Sequence, residues 1–376
     1  MTISARQLNR ATLGRQLLLR REKLDIEDAV SRVMALQAQE PASPYLALWN
    51  RLAHFNPADL DSAFAEQTVV KATLMRLTLH AVHVKDYPHL YRAMLPSLRA
   101  SCLNDARFTE SGLSVADADA LVPHVAAFTA QPRYKTEIEG MIETRLGFHH
   151  QGVWWALRRF APLWQAPTGG PWSFGARPSF VVARAPSYSG TQNSAVQHLV
   201  QRYLEAFGPA SVQDIAQFAM IARSVVKDAL NALEGKVRQM KAADGTELFD
   251  VPGAWLPDED TPAPPRLLPM WDSTLLAYWD RSRVIPPDYR QRVIRRNGDV
   301  LPTLLVDGYV AGVWRPVAGG VEATAFHPLS DEAWAGLATE AEALLVFLST
   351  RAPNVYSRYS HWWDKLSDGE TQILSG

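Results

Sequence analysis

The 376-residue chain contains a single cysteine, Cys102. One thiol excludes an internal disulfide framework and any zinc site built on two or four cysteines. It fits a reducing compartment. Net charge is lacking too: 38 lysines and arginines face 39 aspartates and glutamates, a formal balance of −1. That excludes a histone-like binder held by bulk charge, but not a DNA-binding protein with a local basic face. The apolar run at 344–348 falls far short of the roughly 18 residues a membrane helix needs. Arg6, Arg10 and Arg15 interrupt the N-terminal segment where a signal peptide would need an unbroken apolar core. No P-loop, GxGxxG, HExxH or GxSxG motif occurs. A soluble, cytosolic, membrane-free protein is the expectation.

What is present is core material. Hydrophobic residues make up 47% and charged residues 20%, which argues against disorder. At about 150 residues per domain the length suggests two or three domains. Twelve tryptophans and 25 prolines are both on the high side. Pro252, Pro257, Pro262, Pro264, Pro265 and Pro269 cluster with Asp258, Glu259 and Asp260, and this stretch reads as a linker. A second boundary falls at 165–177, with Gly169, Gly170, Pro171 and Gly175.

Segment 192–251 has the clearest pattern. Apolar residues at 196, 199, 200, 203, 204 and 207 predict a helix that Gly208-Pro209 ends. Ser211 with Asp214 reads as a capping box for a second helix, and Ser224 opens a third. Paired strands follow around Asp244-Gly245. Three short helices and a hairpin form a winged-helix pattern. The same order is expected earlier, with helices over 4–20, 26–37 and 57–65 and strands over 69–76 and 77–84. In the second helix Val30, Val33, Met34 and Gln37 share one face. A weaker copy has helices at 136–146 and 151–160 and strands at 163–166 and 179–183. No residue-level repeat period supports a solenoid.

After residue 265 the pattern changes. Strands 301–306 and 309–315 flank Asp307-Gly308, where a type I′ turn needs positive φ. Arg281, Arg283, Arg290, Arg292, Arg295 and Arg296 crowd one stretch against a single acid, Asp288. They read either as phosphate contacts or as a solvated face paired with the acids of 258–260. The segment 6–23, with six basic residues and one acid, Glu22, is a second candidate for phosphate contact. Ser330 caps a final helix over 331–349.

His149-His150 points two side chains about 100° apart on a helix, so surface placement is the better reading. Cys102 has no histidine beside it and reads as a small core or surface residue. Leu36-Gln37-Ala38-Gln39-Glu40-Pro41 is more informative. Pro41 is expected to stop the helix, leaving Gln39 in its last turn or just beyond. On residue types alone these glutamines first read as helix-end caps. A glutamine can also orient a water with its carbonyl while its NH₂ donates elsewhere.

Three segments together resemble the AlkZ-type bacterial DNA glycosylases: Gln37-Ala38-Gln39, Leu74-Met75-Arg76-Leu77-Thr78-Leu79-His80-Ala81-Val82, and Leu305-Val306-Asp307-Gly308-Tyr309-Val310-Ala311-Gly312-Val313-Trp314. The resemblance runs over nearly the whole chain. It implies an α+β fold of three tandem winged-helix domains forming a concave DNA-binding surface, with a β-rich C-terminal part. It implies excision of alkylated purines and, in some members, unhooking of interstrand crosslinks. The family's Gln-apolar-Gln motif maps onto Gln37 and Gln39. A related branch has aspartate at the second position, where this chain has Gln39. The family's minor-groove hairpin would correspond to Asp307, Gly308 and Tyr309. His80 defaults to core packing.

The chemistry is reasonable on its own terms. Alkylation at guanine N7 or adenine N3 makes the base cationic and already a good leaving group. Breaking the C1′–N bond then needs a water held beneath C1′ and stabilisation of partial positive charge. Two amide carbonyls can supply both. No metal or cofactor is required, and without a placed catalytic lysine a monofunctional, water-using enzyme is expected. A crosslinked purine cannot flip freely, so an open cleft is expected rather than a tight pocket. Domains are expected at 1–100, 101–190, 191–258 and 265–376, in a monomer acting on double-stranded DNA containing alkylated bases. The alternative is a non-catalytic winged-helix regulator that reads bases with Arg223, Lys227 and Asn231. A structural partner of other proteins, suggested only by the tryptophans, is a third.

Overall fold

Short polar side chains set where most helices begin. A computed structural model describes residues 2–185, 188–366 and 369–375. Strand β1 (Thr2–Ile3) precedes α1 (Ala5–Arg15), whose first turn is capped by Ser4 accepting from the Gln7 N–H. The helix stops at Arg15 rather than near 20, and Leu17 follows with a left-handed φ of 57°. Asp25 caps α2 (Ile26–Arg32) in the same way. This helix also ends before its expected limit of 37. Met34 turns left-handed at φ 70°, and Leu36–Gln37 finds strand partners in Ala81 and His80. Tertiary pairing thus overrides the helical spacing of Met34 and Gln37.

Three stretches then share one topology: helix, short strand, two helices, and a hairpin whose last strand pairs with the short one. The first is α2, β2 (Leu36–Gln37), α3 (Ser43–Arg51), α4 (Pro57–Ala65), β3 (Val69–Thr73) and β4 (Leu79–His83). Helices α5 (Tyr87–Leu103) and α6 (Ala106–Thr109) lead to the second. This comprises α7 (Val115–Phe128), β5 (Arg133–Tyr134), α8 (Lys135–Leu146), α9 (Gln151–Phe160), β6 (Leu163–Ala166) and β7 (Ser179–Val182). The third is α10 (Gln192–Phe207), a bridge from Ala210 to Phe249, α11 (Val212–Ala219), α12 (Arg223–Ala232), β8 (Arg238–Ala242) and β9 (Glu247–Asp250). The Ser211–Asp214 capping box forms as expected. Helices α3, α5 and α7 escaped the sequence reading. Each carries proline: α3 in its first turn, where it is compatible with a helix, and α5 (Pro96) and α7 (Pro123) in the interior, where it ordinarily argues against one.

The hairpins of the first two stretches merge into one six-stranded sheet, β2-β4-β3-β6-β7-β5. They join through Lys71 on β3 and Gln165 on β6. Strand β1 adds in parallel to β8. The C-terminal part holds β10 (Arg266–Leu268), α13 (Ser273–Leu276), α14 (Arg290–Val293), β11 (Thr303–Val306), β12 (Tyr309–Val317), β13 (Gly320–Ala325), α15 (Asp331–Ser349) and β14 (Glu370–Leu374). Its strands form a five-stranded antiparallel sheet in chain order. Leu337, Ala341 and Leu344 of α15 are buried in the same core as Trp314 of that sheet.

Alternate residues of β3 and β4 face two different cores. Val69 and Ala81 join Leu46, Leu304 and Leu337 in one, while Val70, Ala72 and Val82 join Leu98, Trp154 and Phe218 in the other. Buried bidentate ion pairs tie the parts together: Arg51 to Asp272, and Arg15 to Asp250. Among the described residues no helix is long and apolar enough to cross a membrane.

Candidate active site

Gln37 lies in strand β2 and Gln39 just beyond it, not in a helical turn. On a helix, positions 37 and 39 would point about 200° apart. On an extended chain they fall on one side, and both reach the start of β4. The Gln37 amide donates to Thr78 Oγ1 at 2.9 Å, and the Gln39 carbonyl accepts from the Leu79 N–H at 3.3 Å. Between them, the Ala38 N–H donates to the Leu79 carbonyl at 2.8 Å. Gln37 is 3% exposed, whereas Gln39 is exposed.

The hydrogen bonds orient the whole group. The Thr78 hydroxyl donates to the Met75 carbonyl at 3.1 Å, so its oxygen is left to accept from Gln37. The Gln37 oxygen therefore faces the guanidinium of Arg76, whose Nη2 donates to it at 2.6 Å. His80 Nδ1 lies 3.1 Å from the Thr78 carbonyl, which can only accept, so Nδ1 carries the proton. Nε2 then presents its lone pair toward Arg76 Nη2 at 3.4 Å. Burial, with the Arg76 charge adding to it, pushes the His80 imidazole down to about 3. His80 is buried as expected, but as a hydrogen-bonded neutral acceptor. Arg76 sits in the turn between β3 and β4 at φ 51°, with its guanidinium 5.1 Å from the Phe218 ring centroid.

Gln39 opens onto a cleft of about 120 Å³ that it shares with Thr73, Thr78, Gln165, Arg158 and Arg159. The six-stranded sheet makes this cleft, because pairing β3 with β6 brings the end of α9 beside the exit of β2. Arg159 and Arg107 lie over the Trp155 ring at 4.1 and 3.8 Å. Sequence reasoning missed Arg76, Thr78, Arg158 and Arg159 as site residues. Arg76, Thr78 and His80 were legible in principle, as polar residues at alternate positions of an apolar segment. Arg158 and Arg159 carried no such signal.

The type I′ turn forms at Asp307 (φ 48°) and Gly308 (φ 81°), and its tip is in contact with α1. Arg6 grips the Asp307 carboxylate at 2.6 and 3.0 Å, and Arg10 binds it as well. Asn9 donates to the Gly308 carbonyl at 2.8 Å. Burial alone would raise the Asp307 carboxyl, but the two guanidiniums hold it below the usual range. Tyr309 is half-buried beside them. The hairpin is therefore docked on α1. In the basic segment 6–23, Arg15, Arg20 and Arg21 pair with Asp250, Glu22 and Glu340, and among the described residues Lys23 has no acid partner.

Among the described residues no ion pair joins Arg281, Arg283, Arg290, Arg295 or Arg296 to the acids of 258–260. Glu259 instead accepts from the Ser4 hydroxyl. Arg283 donates to the Pro209 carbonyl and lies 4.1 Å over Tyr278. Arg292 and Arg295 lie over Phe326 and Trp362. Arg290 and Arg296 are exposed, and Arg281 is half-buried. Cys102 is buried, and its thiol is pushed up to about 11 by that burial. His150 caps α9, accepting from the Gly152 N–H, and His149 lies 3.3 Å from Glu143. Among the described residues no group of three or more His, Cys, Asp or Glu side chains could hold a metal ion.

In class, this chain is an α/β protein with the fold of a DNA glycosylase. It is similar to the Streptomyces sahachiroi DNA glycosylase AlkZ with a TM-score of 0.77 and 20% identity, over 90% of this chain and 95% of that one. The family follows from the sequence: the model for DNA glycosylase AlkZ-like matches residues 30–347, and the chain belongs to that family. No curated protein matches the sequence.

Proposed function

We propose that this DNA glycosylase excises cationic alkylated purines, N7-alkylguanine and N3-alkyladenine, from double-stranded DNA by hydrolysing the N-glycosidic bond. Gln37 and Gln39 hold the attacking water. The observation that carries this reading is the anchoring of both side chains on neighbouring residues, Thr78 and Leu79, with Gln39 at the mouth of a cleft. Each carbonyl oxygen has two lone pairs, and the hydrogen bonds described occupy one on Gln39 and one on Gln37. The other is available to a water and to the positive charge that develops at C1′. Neutral amides suit a substrate whose base already carries the charge. Neutral lesions such as uracil should be cut poorly.

In this reading the three repeated stretches are winged helices, with domains at 1–100, 101–190 and 191–258 and a β-rich part at 265–376. Arg281, Arg290, Arg296, Arg158 and Arg159 contact phosphates. The enzyme is a cytoplasmic, monofunctional monomer that needs no cofactor. The cleft's openness supports lesions too bulky to flip, crosslinked purines included. The rival regulator would read DNA with Arg223, Lys227 and Asn231, which are exposed on α12.

The test is base release from duplex DNA carrying N7-methylguanine, 3-methyladenine or a crosslink, read as strand breaks after alkali. Release that Gln37→Ala and Gln39→Ala abolish is the expected result. Sequence-specific binding without release sinks the proposal and favours the regulator.

A further inference from the structure

Arg76 is a half-buried cation with no counter-ion among the described residues. Its Nη2 is held by Gln37 and faces His80, and both are neutral. Its Nη1 is buried with no hydrogen-bond partner. The nearby Arg281 charge repels it, and the Tyr203 phenol beside it is neutral, its pKa raised by burial. Arg281 repeats the pattern. Its Nε is buried and unpartnered, no hydrogen bond or ion pair engages its guanidinium among the described residues, and its charged neighbour is Arg290. Leaving a partly buried guanidinium without an opposite charge is unfavourable, and each buried N–H left unmet adds to that cost. Elsewhere in this protein buried arginines are paired: Arg51 with Asp272, Arg15 with Asp250 and Arg10 with Asp307. Arg76 and Arg281 have no acid partner among the described residues, and Arg76 holds the Gln37 oxygen of the glutamine motif.

We infer that Arg76 and Arg281 together receive one backbone phosphate of the DNA strand whose nucleotide faces Gln37 and Gln39. The inference rests on the glycosylase reading and adds to it a registration point. A phosphodiester supplies the missing charge and accepts from both guanidiniums. Because Arg76 also holds the Gln37 oxygen, the bound phosphate fixes the sugar against that amide. Arg76 is thus a positioning residue. Arg281 and Arg290 extend the positive charge outward, so a strand meets Arg290 first and Arg76 last.

The experiment measures binding to an undamaged duplex as a function of salt, so it does not depend on base excision. Each phosphate neutralised contributes about 0.9 to the slope of log affinity against log salt. The double variant Arg76→Gln/Arg281→Gln is expected to have a slope shallower than wild type by about 0.9, with each single variant in between. An unchanged slope in a folded double variant overturns the inference. A fall of about 1.8 also overturns it, because the two arginines then serve separate phosphates. If Arg76→Gln does not fold, Arg281→Gln alone decides, and an unchanged slope there overturns the shared site. Failure of base release with the slope change intact would fault the glycosylase reading instead.

Discussion

Thr78 decides which way Gln37 points. Its hydroxyl gives its proton to the Met75 carbonyl and so can only accept from the Gln37 amide, which leaves the Gln37 oxygen toward Arg76. Replacing Thr78 by valine keeps the shape and removes that acceptor. Thr78→Val is expected to lower single-turnover base release at least about tenfold through loss of preorganised geometry. Stability should fall by only about 1–2 kcal/mol. Parallel release kinetics and thermal melts check both. Wild-type release from a folded variant would remove Thr78 from the mechanism.

The two glutamines should separate in their effect on stability. Gln37 is buried, with hydrogen bonds at both ends of its amide, so Gln37→Ala should cost about 1–3 kcal/mol in urea unfolding. Gln39 is exposed, so Gln39→Ala should stay within about 0.5 kcal/mol of wild type. Both should lose base release.

Gly308 meets α1 too closely for any side chain. A Cβ there would lie 2.5 Å from Asn9 Oδ1 and 2.6 Å from both Arg10 Nη1 and Leu13 Cδ1, at a φ of 81°. Gly308→Ala should therefore destabilise by at least about 2 kcal/mol. A variant as stable as wild type would show that the hairpin is not docked on α1.

His80 should make the protein acid-labile. Its folded value is about 3, well below the ordinary 6.5. Between those values the unfolded chain binds the extra proton, so stability rises with pH across the window and is lost as pH falls through it. The slope from this group is at most about 1.4 kcal/mol per pH unit. Unfolding free energies of wild type and His80→Asn, taken from pH 3 to 6.5, should converge toward the acid end. Parallel curves would contradict the neutral buried imidazole.

Lys71 should act in the alkaline range. Burial pulls its ammonium down to about 7, with Glu40 opposing, and its Nζ lies 4.3 Å from the Phe174 ring centroid. The folded chain releases this proton near 7 and the unfolded chain near 10.5. Stability therefore rises with pH between the two. Lys71→Met should flatten that rise in urea titrations. An unchanged pH dependence would show that Lys71 is not buried as a charge.

The sequence by itself determined the local elements and the residue chemistry. The caps at Ser4, Asp25, Ser211 and Ser330 start helices where their side chains meet free N–H groups. Asp307-Gly308 makes its turn because glycine accepts positive φ, and Gln37-Ala38-Gln39 pointed to the candidate site. Those are properties of neighbours in the chain. Only the tertiary structure decided that 36–37 is a strand, because its pairing partners lie more than forty residues away on β4. Only it decided that Arg6 and Arg10 are bound to Asp307, while Arg76 and Arg281 have no acid partner among the described residues. A charge's role depends on which opposite charge and how much water surround it, and chain order does not encode that distance.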